Sequence, residues 1–171
     1  RIATCLHRIE VEDQAEALLT YPGGMTGYIL ASTNEPVEGN YLEIAGDRGR
    51  LVLKDNAVDV YTYRRGLREM AAHSPEMWGR PEVKQRTLAV TPRKVTHTDV
   101  MRNFARHVLH GEELRCDAES ALMSLEIANA ITLSHFTGDE VRVPVDRKAY
   151  SALLTRLQAT SRKKRHVQIL R

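Results

Sequence analysis

Apolar and polar residues alternate with a period of two through the first half of the chain, a pattern typical of half-buried β-strands. Two turn signals interrupt it, Tyr21-Pro22-Gly23-Gly24 and Gly46-Asp47-Arg48-Gly49, because proline presets φ and glycine accepts positive φ. The alternating segments are residues 2–6, 14–19, 25–32, 40–45, 50–53, 57–63 and 87–90. They predict a meander of short antiparallel strands.

The apolar period lengthens to that of a helix in the last third of the chain. Thr98 or Asp99 is expected to cap a first helix that ends at Gly111. Its apolar stripe consists of Val100, Phe104, Val108 and Leu109. The remaining predicted elements are a helix over residues 118–137, a strand over 141–143 and a helix capped by Asp146.

Strands followed by helices, rather than alternating units, favour an α+β fold: an open, largely antiparallel sheet with helices packed on one face. The strands carry more apolar positions than three helices can cover. These positions include Ile29, Leu42, Ile44, Leu51, Leu53 and Val58. We therefore expect the free face of the sheet to be buried against a partner, most simply in a homo-oligomer.

The composition, 42% hydrophobic and 27% charged over 171 residues, is that of one soluble domain of ordinary size. No apolar stretch approaches the ~18 residues of a membrane span, so no membrane partner is expected. Cys5 and Cys116 form no CxxC or Cys/His pattern, and residues 1–8 lack the apolar core of a signal peptide. We expect a reducing, cytoplasmic setting and no metal site.

The formal net charge of +3 conceals a basic tail at residues 161–171. Such a run attracts phosphate backbones by counterion release. This one contains no aromatic side chain that could stack on a base. We interpret it as a solvated terminus and expect no nucleic-acid partner, which leaves residues 1–160 as the folded domain.

Several stretches follow one another in a characteristic order over nearly the whole chain. They are residues 11–15 leading to Pro22-Gly23-Gly24, residues 42–51, residues 103–113, and residues 119–134 followed by 141–146. Their order and spacing resemble the C-terminal domain of the Gfo/Idh/MocA oxidoreductases, a family that includes sugar and inositol dehydrogenases. The resemblance implies an open sheet with helices on one side, like the C-terminal domain of glyceraldehyde-3-phosphate dehydrogenase, and association through that sheet.

The same resemblance identifies what the chain lacks. The family uses a Gly-rich turn for the pyrophosphate of NAD or NADP, a Glu-Lys-Pro motif and an Asp-x-x-x-His pair for proton transfer, and the sequence contains none of them. In the family these elements precede the strand that residues 1–8 resemble. We therefore expect a fragment that begins after its Rossmann domain. No catalytic or cofactor-binding residue is assigned, and NAD or NADP is expected to bind the parent enzyme but not this chain alone.

Residues 64–86 form a long segment without periodicity, of a kind that is often functional in compact domains. The resemblance implies that the region between the late strands and the first C-terminal helix approaches the substrate, and here it holds Trp78 and His97. Trp78 would stack on a sugar ring, and His97 would hydrogen-bond a hydroxyl or carboxylate. The alternatives are that Trp78 anchors its loop on the sheet and that His97 faces solvent. Glu12 and Asp13 are adjacent and point to opposite faces of a strand, which excludes a paired-carboxylate site.

The sequence is consistent with two candidate functions. The first is the substrate-binding and oligomerising half of an NAD(P)-dependent sugar, cyclitol or polyol dehydrogenase, whose partners are a small polyhydroxylated substrate and its own Rossmann domain. The second is a stand-alone, non-catalytic dimerisation or regulatory module. A Gly-rich strand-turn-helix encoded upstream in the gene would favour the first.

Overall fold

The computed structural model describes residues 1–35, 39–54, 56–91 and 95–161. The chain divides into two compact units, Arg1–Pro36 with Asp99–Arg171, and Val37–Thr98. Each unit contains one antiparallel sheet, so the α+β class is confirmed and the strands are distributed over two sheets. The basic tail lies outside the described residues from Arg162 onward.

A three-stranded antiparallel sheet of order β1-β2-β3 forms the base of the first unit. Its strands are β1 (Ile2–Ala3), β2 (Gln14–Thr20) and β3 (Thr26–Ser32). The predicted hairpin joins β2 to β3, with Gly23 and Gly24 at φ 87° and 86°. β1 is shorter than the predicted strand over residues 2–6, because the following backbone amides donate to the Asp13 carboxylate instead of to a neighbouring strand.

Three helices complete the first unit. They are α2 (His97–His110), whose first two residues fall in the second unit, α3 (Ala118–Thr137) and α4 (Arg147–Thr160). α3 lies against β1 and β2. A small apolar cluster joins α3, α4 and the segment between them through Ala130, Leu133, Val145 and Leu153. The Glu126 carboxylate on α3 accepts the Val145 N–H at 2.7 Å and fixes that segment.

The turn between α2 and α3 is fastened by a buried amide. The Asn103 Nδ2 group donates to Glu112 Oε1 at 2.8 Å and to the Glu113 carbonyl at 2.9 Å, while its Oδ1 accepts the Arg115 N–H at 3.0 Å. All of the hydrogen-bonding capacity of this side chain except one lone pair is therefore used locally. Asn103 is the only buried residue of α2, and the predicted apolar stripe of that helix is exposed.

A four-stranded antiparallel sheet of order β4-β5-β6-β7 forms the second unit, together with the short helix α1 (Leu67–His73). The strands are β4 (Leu42–Gly46), β5 (Gly49–Lys54), β6 (Ala57–Tyr63) and β7 (Val83–Ala89). The strand register places Leu42, Ile44, Leu51, Leu53, Val58, Val60 and Leu88 on one face, which we call the apolar face. Toward the end of β6 and the start of β7 the same face becomes polar, with Arg86, Thr62 and Lys84. The opposite face is polar and holds the Arg50–Glu43 ion pair at 2.7 Å.

Two local predictions are wrong. Residues 141–143 do not form a strand, because Val141 and Val145 pack on the apolar cluster and the segment leads into the Asp146 cap of α4. α2 begins at His97, so Thr98 and Asp99 lie inside its first turn rather than capping it.

Candidate functional site

Trp78 lies on the loop between α1 and β7 and is 85% exposed. Two hydrogen bonds within the loop fix its conformation. The Ser74 hydroxyl donates to the Glu76 carbonyl and accepts the Glu76 N–H, both at 3.1 Å. Because most of its surface is exposed, the indole makes little contact with the sheet in this chain. An exposed aromatic ring on a braced loop is suited to stacking on a flat apolar partner.

Asp47, in the hairpin turn between β4 and β5, positions α1. Its carbonyl accepts the Leu67 N–H at 2.9 Å and its Oδ1 accepts the Arg68 N–H at 2.8 Å. Gly66 precedes the helix, and a Cβ at this position would lie 2.5 Å from the Asp47 carboxylate. A larger residue here would displace the Asp47 carboxylate from its contact with α1. The carboxylate caps a helix that is twenty residues away in sequence, and the sequence predicted neither the cap nor α1.

Two shallow cavities of about 290 and 420 Å³ lie where α1, the end of β6 and the start of β7 meet. The smaller is lined by Arg64, Arg65, Met70, Arg80, Pro81 and Glu82, and the larger by Thr62, Arg64, Glu82 and Lys84. They adjoin at Arg64 and Glu82, whose side chains form an ion pair at 2.9 Å. Sequence reasoning missed this basic site, although the Arg64-Arg65 pair opening an aperiodic segment was a signal for it.

His97 is the first residue of α2, and its side chain is exposed to solvent. Trp78 precedes β7 in sequence and His97 follows it. The two ends of this seven-residue strand are roughly 20 Å apart. No hydrogen bond or ring contact joins the two side chains in the part of the chain that the structure describes. Among the residues described, no observed contact therefore places the two candidate residues in one cluster.

Asp13 is the most strongly perturbed carboxylate of the described residues, and its side chain is inaccessible to solvent. It accepts the N–H groups of Cys5, Leu6 and His7 at 2.7 to 2.9 Å and the Asn34 amide at 3.1 Å. The His7 amide, followed by those of Cys5 and Leu6, holds the pKa of Asp13 well below its usual range, against the opposing effect of burial. The carboxylate has no free edge for a substrate, so it fastens the loop after β1 and does not act as an acid or base.

Helix N-termini are the places where backbone amides could receive the pyrophosphate of NAD or NADP. In residues 1–35, 39–54, 56–91 and 95–161 each helix already carries a carboxylate of this chain there. These are Asp47 at α1, Asp99 in the first turn of α2, Asp117 at α3 and Asp146 at α4. The strand pairs described are all antiparallel, so no strand-helix-strand cradle is present among them. A pyrophosphate placed at any of these N-termini would lie close to a carboxylate of this chain.

Other candidate chemistry is limited. Within the described ranges, no group of three His, Cys, Asp or Glu side chains is arranged to hold a metal ion. Cys5 and Cys116 are exposed and free. None of the described helices has the length and apolar character needed to cross a membrane.

Most of the chain matches a known protein family. The family model described as oxidoreductase family, C-terminal alpha/beta domain, of the Gfo/Idh/MocA group, matches residues 4–145. The matched region includes strands of both units, α1, α2 and α3, and it ends before α4. No curated protein matches the chain.

Proposed function

The chain belongs to the Gfo/Idh/MocA oxidoreductase family as a C-terminal alpha/beta domain, and on that premise we propose that it is the substrate-side and oligomerising half of an NAD(P)-dependent dehydrogenase of sugars, cyclitols or polyols. The observation that carries the substrate role is the exposed ring of Trp78 on its braced loop. Trp78 supplies an apolar wall for a sugar ring. His97, at the first residue of α2, supplies a separate polar contact.

The cofactor belongs to a Rossmann domain outside this chain. This part of the proposal is supported by the carboxylates at the helix N-termini and by the antiparallel pairing of the described strands. The chain by itself then binds neither NAD nor NADP and contributes no catalytic residue. The two free cysteines support a cytoplasmic setting for the same enzyme.

The Trp78 role predicts a change in substrate affinity. In the product of the full gene, Trp78→Ala is expected to raise KM for the sugar or cyclitol that supports NAD(P) reduction by about three- to tenfold, with kcat little changed, because stacking is lost equally in the ground and transition states. Initial rates of cofactor reduction over a panel of sugars and cyclitols measure this effect. His97→Ala is measured in the same assay.

Met77→Ala is the matched control, since Met77 is adjacent and 87% exposed. Identical KM values for the Trp78 and Met77 variants would contradict a contact between Trp78 and the substrate. Failure of every sugar and cyclitol in the panel to reduce the cofactor would contradict the substrate class.

Oligomerisation is proposed to use the apolar face of the four-stranded sheet. Leu42, Ile44 and Leu51 on this face are 54%, 57% and 42% exposed, which leaves apolar surface that a second copy would bury. Ile44→Glu is expected to weaken association by about 100-fold or more, because a carboxylate would be buried without a partner. Light scattering after size-exclusion chromatography at micromolar concentration measures the change.

Ala45→Glu provides the control for this variant, because position 45 is on the polar face of the same strand, opposite Arg50. That variant should associate like the original chain. A monomeric original chain, or an Ile44→Glu variant that remains oligomeric, would contradict the proposed interface.

A stand-alone, non-catalytic dimerisation or regulatory module is the second candidate, and the exposed apolar residues of the four-stranded sheet support it, because a second copy would cover them without any cofactor. The intact mass of the full gene product separates the two candidates. A product about twice as heavy supports the dehydrogenase half, whereas a product of 19.3 kDa supports the independent module.

A further inference from the structure

The two cavities of the second unit are lined by four positively charged side chains and one carboxylate. The cations are Arg64, Arg65, Arg80 and Lys84, and Glu82 is the one acidic lining residue. Glu82 is bonded to Arg64 at 2.9 Å. Arg65 has only a long contact, with its Nε 3.9 Å from the Glu69 carboxylate. Neither Arg80 nor Lys84 has an acidic partner among the described residues.

Lys84 lies on β7, whereas Arg64, Arg65 and Arg80 lie on the two connections that flank α1. Thr62 and Lys84 are directly paired across β6 and β7, and the Arg64 N–H donates to the Glu82 carbonyl at 3.0 Å just beyond that pairing. Arg65 precedes α1, whose start is held by Asp47. The two connections therefore bring three guanidinium groups to one concave surface, and guanidinium forks match the paired oxygens of a phosphate or carboxylate.

We propose that this cavity is a binding site for a small dianionic ligand, a phosphate monoester, held by Arg65 and Arg80 with Arg64 and Lys84 at its border. A dianion fits better than a monoanion because two guanidinium groups without close acidic partners face the smaller cavity. The volume of about 290 Å³ is close to the lower end of the range for small-molecule sites, roughly 300 to 1,000 Å³. The inference is independent of the proposed dehydrogenase role and is tested on the chain itself.

Inorganic phosphate is the probe, titrated at constant ionic strength and at about pH 8, where its second ionisation is largely complete. Two-dimensional ¹H–¹⁵N NMR follows the arginine Nε–H resonances and the backbone amides. Saturable shifts are expected at Arg64, Arg65 and Arg80. Acetate, a monoanion, is expected to bind at least about tenfold more weakly than phosphate.

Arg80→Ala is expected to weaken phosphate binding by about tenfold, the loss typical of one charged hydrogen-bonding group. Arg68→Ala is the control, because it removes the same charge from α1 at a residue that does not line either cavity. It should change affinity less than about twofold. The amide spectrum of each variant verifies its fold, and the shifts in the unsubstituted chain stand as a second readout.

Three results would overturn the proposal. The first is a non-saturating response, and the second is an equal loss of affinity in the Arg68 and Arg80 variants, since both describe diffuse charge rather than a site. The third is tighter binding of a short single-stranded DNA than of phosphate through the same arginines, which would assign the surface to a nucleic-acid backbone.

Discussion

Replacing Leu153 by alanine is expected to destabilise the first unit by about 3 kcal/mol, the typical cost of a buried leucine-to-alanine change. Leu153 is 5% exposed and joins α4 to Ala130 and Leu133 of α3. Only four apolar residues are buried in the described part of the chain, so few neighbours can rearrange to fill the space. The free energy of unfolding of a typical domain is about 5–15 kcal/mol, so a loss of this size is a large fraction of it.

Leu154→Ala is the matched control, because the next residue of the same helix is 39% exposed. Its cost is expected to stay below about 1 kcal/mol. Urea unfolding followed by the helical circular dichroism signal measures both variants. Equal destabilisation of the two would mean that α4 is not docked through the face that carries Leu153.

Asp13→Asn is expected to lower the melting temperature at neutral pH by roughly 10 °C. The variant keeps the shape of the side chain but replaces an acceptor oxygen with an amide, while the N–H groups of Cys5, Leu6 and His7 all donate to this carboxylate. At least one of those amides would then face another donor. Asp139→Asn, at an exposed position, is the control and should leave the melting temperature nearly unchanged.

The same carboxylate makes stability depend on pH in a defined window. Its amide donors, led by His7, lower the pKa of Asp13 in the folded chain below the ordinary value of 3.8. The unfolded chain therefore binds the proton more readily, and the stabilisation is fully present above pH 3.8 and is lost as pH falls through the folded pKa. Melting curves should show the difference between the original chain and Asp13→Asn shrinking as the pH is lowered below that value. A difference that stays constant would contradict the assigned role.

Elements with local signals could be predicted from the sequence. The helix over residues 118–137 begins after Asp117, which accepts the Ser120 N–H at 2.6 Å, and ends at Gly138, which has φ 79° and so favours glycine. Asp146 caps α4 as predicted. The strand meander was also predictable, because period-two alternation and glycine-rich turns depend only on neighbouring residues.

Features that depend on distant residues could not be predicted in this way. α1 has its cap on Asp47 in another hairpin, so nothing within residues 67–73 indicates where it begins. Asp13 carries no sequence signal for the three amides that turn toward it. The basic cavity combines residues from the connections before and after α1, which are more than ten residues apart in sequence. For the candidate site, the exposure of Trp78 follows from a loop conformation that periodicity does not encode.

We propose that this chain is the substrate-side half of an enzyme whose cofactor binds to another domain. NADH and NADPH, titrated into the isolated chain and into the full gene product and followed by cofactor fluorescence, test this proposal. We expect saturable binding of one or both cofactors to the full product and none to the isolated chain. Equal binding to both, or binding to neither, would contradict it.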